Sequence, residues 1–203
     1  MANPTLMTEL EAVNIMLGAI GESPVSSLDD PSLVDVALAK TILDETNVSV
    51  QTPGTHFNTE MDAPITADTD GFINVPINCA KIDTVGDSAD LDLVLRGTKV
   101  YDRDNRTFTF AIPTTIYVDM VLLLPFEEIP QYARRYVCVK AARRFQARVV
   151  GSDTLFGFTQ RDEEEALITY EQSEAETEDN NILTDSYSVS RITYRGSGRR
   201  TGG

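Results

Sequence analysis

The sequence predicts an α+β protein in which an antiparallel helical bundle is interrupted by an inserted antiparallel β domain of sandwich or barrel type. Residues 1–51 and 129–178 have helical periodicity and form the predicted bundle, whereas residues 52–128 contain short alternating runs and form the predicted β domain. Residues 179–203 hold too few apolar side chains to fold alone, so they are predicted to be an extended C-terminal tail. Of the 203 residues, 41% are apolar and 24% are charged, which excludes wholesale disorder.

The first helix is predicted over residues 5–20, where apolar residues recur at spacings of three and four. Thr8 and Glu11 have the spacing of a capping box at its start. Gly21 is placed where a helix commonly ends in the left-handed conformation. The apolar stripe consists of Leu6, Leu10, Val13, Leu17 and Ile20.

A second helix is predicted to follow the turn after Gly21 and to run to about Asn47. Asp30 is a favoured N-cap residue, and Pro31 suits the first helical position because its missing N–H would have no partner there. Residues 51–54, which include Pro53 and Gly54, break the helical period. The inner face is predicted to carry Val34, Leu38 and Ile42.

The β domain is predicted from short runs rich in β-branched and aromatic residues. In the last of them apolar residues alternate from Ile116 to Leu124, which is typical of a half-buried strand. Residues 102–105 have the composition of a hairpin connection. The runs cover residues 72–77, 91–97, 99–102, 106–112 and 116–124.

Two further helices are predicted after the β domain. The third starts at Pro130, ends before Gly151 and carries two apolar stripes, which indicates a helix buried between two partners; the favoured interpretation places both partners in the same subunit, and the alternative places one in another subunit. The fourth is predicted to start near Thr159. The stripes are Tyr132, Tyr136, Val139 and Val150 on one side and Val137, Ala141, Phe145 and Val149 on the other.

The net charge of −15 is unevenly distributed and makes the chain a poor candidate for wrapping nucleic acid without sequence preference. Residues 134–148 hold six basic residues and no acid, whereas residues 162–179 hold nine acids and no base. The basic helix either contacts nucleic-acid phosphate along a channel or pairs with the acidic helix of its own or a neighbouring subunit, and the pairing is the favoured hypothesis. The residues concerned are Arg134, Arg135, Lys140, Arg143, Arg144, Arg148, Glu163, Glu164 and Glu165, with Arg144 and Arg148 opposite Glu164 and Glu165 as the pairing to test.

The sequence offers no catalytic, metal or cofactor site. The two cysteines, Cys79 and Cys138, fit no metal spacing, and the single histidine, His56, has no nucleophile motif around it. An alignment of Asp68 and Asp70 with a calcium loop lacks the other ligands. A glycosidase needs two carboxyl groups at a particular separation, but among 32 acids some pair always meets this distance. The distance criterion therefore identifies no candidate pair here. No run is long and apolar enough to span a bilayer, and no signal peptide is recognised, so neither a membrane partner nor export is expected.

The C-terminal tail is predicted to bind a partner by adding an extended strand to it. Tyr187 alternates with Val189, and Ile192 with Tyr194, so each of these two pairs would present one apolar edge of an extended strand. Arg195 and the basic residues near it suit an acidic partner surface, and DNA is the competing target. The apolar residues are Ile182, Leu183, Tyr187, Val189, Ile192 and Tyr194, and the other basic ones are Arg191, Arg199 and Arg200.

Four segments together resemble the tail tubular protein A family, the head-to-tail adaptor proteins of short-tailed bacteriophages (podoviruses). They are LEAVNIMLGAIGESPVSSL at 10–28, VYDRDNRTFTF at 100–110, EEIPQYARRYVCVKAARRFQARVVGS at 127–152 and DEEEALITYEQSEAETEDNNIL at 162–183. Relatives commonly have a Gly-Trp pair after the second helix, whereas here Gly54 is followed by Thr55 and the chain has no Trp.

The resemblance implies a non-enzymatic virion protein that forms a dodecameric ring. In the family such a ring lies below the portal protein, carries the tail nozzle (a tail tubular protein B-like partner) and surrounds the channel through which phage DNA leaves. It also implies that the C-terminal tail reaches the portal, and that the ring is assembled in the host cytoplasm. The alternatives are a tail-associated glycan hydrolase acting during host entry and a DNA-binding tail component. Clearing of a peptidoglycan suspension, or retention by DNA at low salt, distinguishes them.

Overall fold

The computed structural model describes residues 5–29, 33–149, 151 and 153–182, and within the last helix it describes the side chains of residues 160–177. Two helices, five strands and two further helices follow one another, which confirms the predicted α+β class. The elements are α1 (Glu9–Ala19), α2 (Val34–Gln51), β1 (Thr59–Thr66), β2 (Cys79–Thr84), β3 (Leu93–Arg96), β4 (Lys99–Asp102), β5 (Thr115–Leu122), α3 (Gln131–Val149) and α4 (Asp153–Ile182).

Both ends of α1 are set by the predicted capping residues. The Thr8 hydroxyl accepts the backbone N–H of Glu11 at 3.2 Å, and the Glu11 carboxylate accepts that of Thr8 at 2.9 Å. At the other end Gly21 has φ +84°, and the N–H of Glu22 bonds the carbonyl of Leu17 at 3.0 Å, which is a Schellman motif. The predicted stripe began too early, because Leu6 precedes the helix and is 55% exposed.

The start predicted for α2 was wrong, and its inner face was predicted correctly at Leu38, which packs on the helical core, and at Ile42 but not at Val34. The helix begins at Val34 with Leu33 as its N-cap residue, whereas residues 30–32 lie outside the described part of the chain. Val34 is 75% exposed, although Ile42 is buried as expected. The buried face includes Thr46, Asn47 and Gln51, so a pattern of apolar residues alone could not locate it or the helix end at Gln51.

The strands form a three-stranded antiparallel sheet of order β1-β5-β2 and a β3–β4 hairpin. The predictions of β3, β4 and β5 are confirmed, and so is the turn after β4, where the carboxylate of Asp102 accepts the N–H of Asn105 at 2.8 Å. The runs at 72–77 and 106–112 contribute only isolated bridges, such as that between Phe72 and Thr109. Strands β1 and β2 were missed because they lie at the sheet edges and carry many polar residues.

Two separate groups of apolar residues are buried, one among the helices and one between the two sheets. Helix α3 contacts α1, α2 and α4, which confirms that its two-sided apolar pattern is satisfied within one chain, although Val149 is 42% exposed. Fully buried side chains of the helical group include Val13, Met16, Ile42, Leu43, Val137 and Phe145. The other group consists of Ile73, Val75, Val100, Ile116, Val118 and Met120.

Helix α4 is longer than predicted at both ends. It begins at Asp153 rather than near Thr159, and it continues to Ile182, so the first residues assigned to the tail are helical. Gly157 lies inside it, and a glycine costs an α-helix roughly 1 kcal/mol relative to alanine, which obscures such a start in the sequence. Residues 183–203 lie outside the described part of the chain. None of the described helices is both long enough and apolar enough to cross a bilayer.

Candidate functional site

Helices α3 and α4 pack antiparallel through side chains of the predicted basic and acidic segments. Arg143 on α3 forms an ion pair with Glu163 on α4. Farther along, the ring of Tyr136 stacks on that of Tyr170, with 5.0 Å between the ring centroids. The ion pairing predicted from the charge blocks therefore occurs within one chain, but through Arg143 and Glu163 rather than through the pairs chosen from the sequence.

Arg134 belongs to the interior of the chain and not to a charged surface. Its side chain is 5% exposed and donates to the carbonyl of Ile129 at 2.8 Å, to that of Met7 at 2.7 Å, and to that of Glu127. A guanidinium has several donors in a fixed fork, so one side chain can hold three carbonyls. Arg134 thus fastens the segment before α1 to the start of α3.

The remaining cations of α3 lie toward solvent. Lys140 donates to the hydroxyl of Tyr136 at 3.1 Å, and Arg144 donates to the hydroxyl of Thr46 on α2 at 3.2 Å. Arg135, Arg144 and Arg148 are exposed. On α4, Glu164 and Glu165 are also exposed, and Gln160 donates to Glu164 at 3.1 Å.

Glu174 connects α4 to two other parts of the chain, a role that the sequence pattern does not predict. One carboxylate oxygen accepts the hydroxyl of Tyr132 on α3 at 2.5 Å, and the other accepts the backbone N–H of His56 at 2.9 Å. His56 lies in the segment between α2 and β1. Burial, and then hydrogen bonding to Glu174, raise the pKa of the Tyr132 phenol above its usual value. The sequence shows Glu174 only as one of nine acids in residues 162–179, and nothing in their pattern indicates that this one faces inward.

A group of buried amides joins the helices to the β strands. The side chain of Gln51 accepts the N–H of Leu124 at 2.8 Å and donates to its carbonyl at 2.9 Å. Asn58 donates to the carbonyls of Gln51 at 3.0 Å and Leu122 at 2.9 Å, and Asn47 donates to that of Leu124 at 3.0 Å. These bonds satisfy backbone groups at the point where the chain leaves β5.

Asp68, Cys79 and Cys138, which the sequence analysis considered as metal ligands, make contacts that stabilise the fold. Asp68 accepts the N–H of Phe72 at 2.8 Å, among other bonds, and these hold the pKa of its carboxyl below the usual range. Burial raises the pKa of the Cys138 thiol to about 11, and it also raises that of Cys79, so both thiols are kept protonated at neutral pH. Across the described residues, no three His, Cys, Asp or Glu side chains are arranged to hold a metal ion.

The residues predicted to form the portal-binding tail lie at and beyond the end of α4. Ile182 is the last residue of α4, and its side chain is not described. The others lie outside the described residues, namely Leu183, Tyr187, Val189, Ile192, Tyr194 and Arg195.

The fold and these contacts define a class of protein: an α+β protein whose ordered polar side chains tie helices and strands to one another. Comparison with known proteins is more specific. A family model described as "Tail tubular protein" matches residues 10–180, from α1 almost to the end of α4. The chain is also similar to "Tail tubular protein A" of Klebsiella phage KP34, with 29% identity over 148 residues, which cover 73% of this chain and 76% of that protein.

The chain belongs to the tail tubular protein family. It is a structural component of a phage tail and is located in the tail of the virion. Membership of a structural family favours a non-enzymatic role, and it implies association with other components of the tail or portal.

Proposed function

We propose that the protein is a head-to-tail adaptor that forms a dodecameric ring between the portal protein and the tail nozzle. The observation that carries the proposal is the family match, which covers both the helices and the β strands. The two separate groups of buried apolar residues support a division into two domains. Residues 1–51 and 129–178 form a helical domain, and residues 52–128 form a domain inserted between its two segments. The extension predicted at 179–203, whose first four residues belong to α4, would then reach the portal.

The ring forms on the portal, and the protein alone remains monomeric. A net charge of −15 on each 22.4 kDa chain makes copies repel one another, and this repulsion opposes association in free solution. Contacts between the portal and the tail residues supply the additional free energy, because a segment that orders on a partner can cover a large surface. The host cytoplasm is where this assembly takes place.

The negative charge also suits a channel for phage DNA. Residues 1–100 hold 16 acids and 4 bases, so the surface they form is predominantly negative. Such a surface repels phosphate, and DNA can pass it without sequence-specific binding and without the salt-dependent attraction that would slow ejection.

Sedimentation velocity tests the proposal. The protein alone is expected to sediment as a 22.4 kDa species at micromolar concentration, and with purified portal it should co-sediment at one copy per portal subunit. A stable dodecamer without portal would contradict portal-dependent assembly. Failure to bind portal at all would contradict the adaptor function.

A further inference from the structure

Helix α4 has two faces with different surroundings. Its inner face lies on α3, where Tyr170 is buried and Glu163 and Glu174 bind α3 side chains. Successive residues of an α-helix are rotated by about 100°, so Glu165 and Ile168 lie on the side opposite Glu163 and Tyr170. Ile168 is 55% exposed on the outside of the helix, with the acids Glu164, Glu165 and Glu171 within one turn of it and Arg161 two turns before it.

A strip of cations, which we call the basic strip, lies along one side of α3 and consists of Lys140, Arg144 and Arg148. Their spacing of four residues places them on one side of the helix. Lys140 donates to Tyr136, whose ring stacks on α4, and Arg144 donates to Thr46 on α2. The strip therefore lies between α2 and α4. A guanidinium has five N–H donors, so the bond to Thr46 leaves Arg144 with others.

Glu165 and Ile168, on the side of α4 opposite its contact with α3, do not face the basic strip of their own chain. The Arg143–Glu163 ion pair and the stacked tyrosines fix the inner face of α4 on α3. Glu165 would reach its own basic strip only after rotation of α4 by about half a turn, which would break both contacts. A second copy of the chain has no such restriction.

We propose that the outer face of α4, carrying Glu164, Glu165 and Ile168, docks on the basic strip of the adjacent copy. This inference rests on the proposed ring and names its contact surfaces. The two surfaces are complementary in charge, and Ile168 can pack on exposed Ala147 and on the aliphatic stems of Lys140 and Arg144. DNA phosphate could also bind the cations of the basic strip, but it provides no apolar surface on which Ile168 could pack. Because the two surfaces differ, the contact is heterologous, and repeated contacts of this kind form a ring when the rotation from one copy to the next closes.

Charge reversal on each surface tests the docking with full-length protein and purified portal. Arg144→Glu with Arg148→Glu should reduce the number of copies bound per portal by at least about tenfold, and Glu164→Lys with Glu165→Lys should do the same. An equimolar mixture of the two variants should recover assembly, because a ring with an even number of copies can alternate them so that every contact is complementary. Lys81→Glu with Arg106→Glu is the control, since it reverses two exposed bases on the β strands and turns.

The outcomes separate the docking from the ring itself. Circular dichroism and thermal unfolding first establish that each variant is folded. If the wild type forms no ring on the portal, the proposed function fails. If the wild type assembles and both variants do so equally well, or if the mixture is not rescued, the docking is wrong. If Arg144→Glu with Arg148→Glu assembles normally but loses retention on DNA at low salt, the strip contacts DNA instead and the docking is overturned.

Discussion

Removing the Glu174 carboxylate should destabilise the whole protein, although it is one acid among 32. Glu174→Ala removes the acceptor for both the Tyr132 hydroxyl at 2.5 Å and the His56 N–H at 2.9 Å. A hydrogen bond to a charged group contributes about 1.5–3 kcal/mol to stability. Two such bonds at the lower end would contribute about 3 kcal/mol, and solvent screens a half-buried carboxylate, so we expect a loss of about 2–3 kcal/mol in the free energy of unfolding.

Urea unfolding followed by circular dichroism measures this loss. Glu171→Ala is the matched control, since it removes an exposed acid from the same helix and should change stability by less than about 0.5 kcal/mol. Glu174→Gln should be intermediate, because it keeps one acceptor oxygen but loses the charge. If Glu174→Ala unfolds at the same urea concentration as the control, Glu174 does not tie α4 to the rest of the chain.

The same contact predicts a pH dependence. The pKa of Tyr132 is raised above 10.0 in the folded protein, and burial raises that of Tyr170 to about 12. A raised pKa means that the stabilisation is fully present below the unfolded value near pH 10 and is lost as the pH rises above it. We therefore expect stability to fall above pH 10. In Glu174→Ala, spectrophotometric titration should show the Tyr132 phenol ionising at lower pH than it does in the wild type, although burial still raises its pKa above the usual value.

Three further predictions concern packing and the tail. Phe145→Ala should cost about 3–5 kcal/mol in urea unfolding, because Phe145 is 0% exposed at the centre of the helical group, and a cost below 1 kcal/mol would contradict that packing. Gly54→Ala should lower the unfolding midpoint, since Gly54 has φ +89° and a Cβ there would lie 2.8 Å from Val121 Cγ2; an unchanged midpoint would show that the segment after α2 is not fixed. Deletion of residues 183–203 should leave circular dichroism and solubility unchanged but remove most portal binding, and full retention in a pull-down would contradict a role for the tail.

The elements that could be predicted from the sequence are those whose position depends on interactions between residues close together in the chain. The ends of α1 depend on Thr8, Glu11 and Gly21, which act within one turn, and β5 depends on strict alternation from Ile116. The inner face of α2 was not predictable in this way, because Asn47 and Gln51 are buried by bonds to a segment more than 70 residues away. Patterns of apolar residues contain no information about such partners.

The charged surfaces show the same limit. The opposite blocks on α3 and α4 correctly predicted an ion pair, since helices adjacent in sequence commonly pack together. Which residues pair depends on the rotation of α4 about its axis, and Tyr136 and Tyr170 fix that rotation through stacking. Arg134 was misassigned to the surface for a related reason, because the three carbonyls it binds belong to backbone that no side-chain pattern reports.

Electron microscopy of the full-length protein, with and without its portal, tests the adaptor proposal most directly. With portal, we expect a twelve-fold ring attached below it, in which α4 of each copy lies against α3 of the next, and without portal we expect no ring. A lower or different symmetry, attachment elsewhere on the virion, or density for the protein only as isolated copies beside the portal would contradict the adaptor proposal.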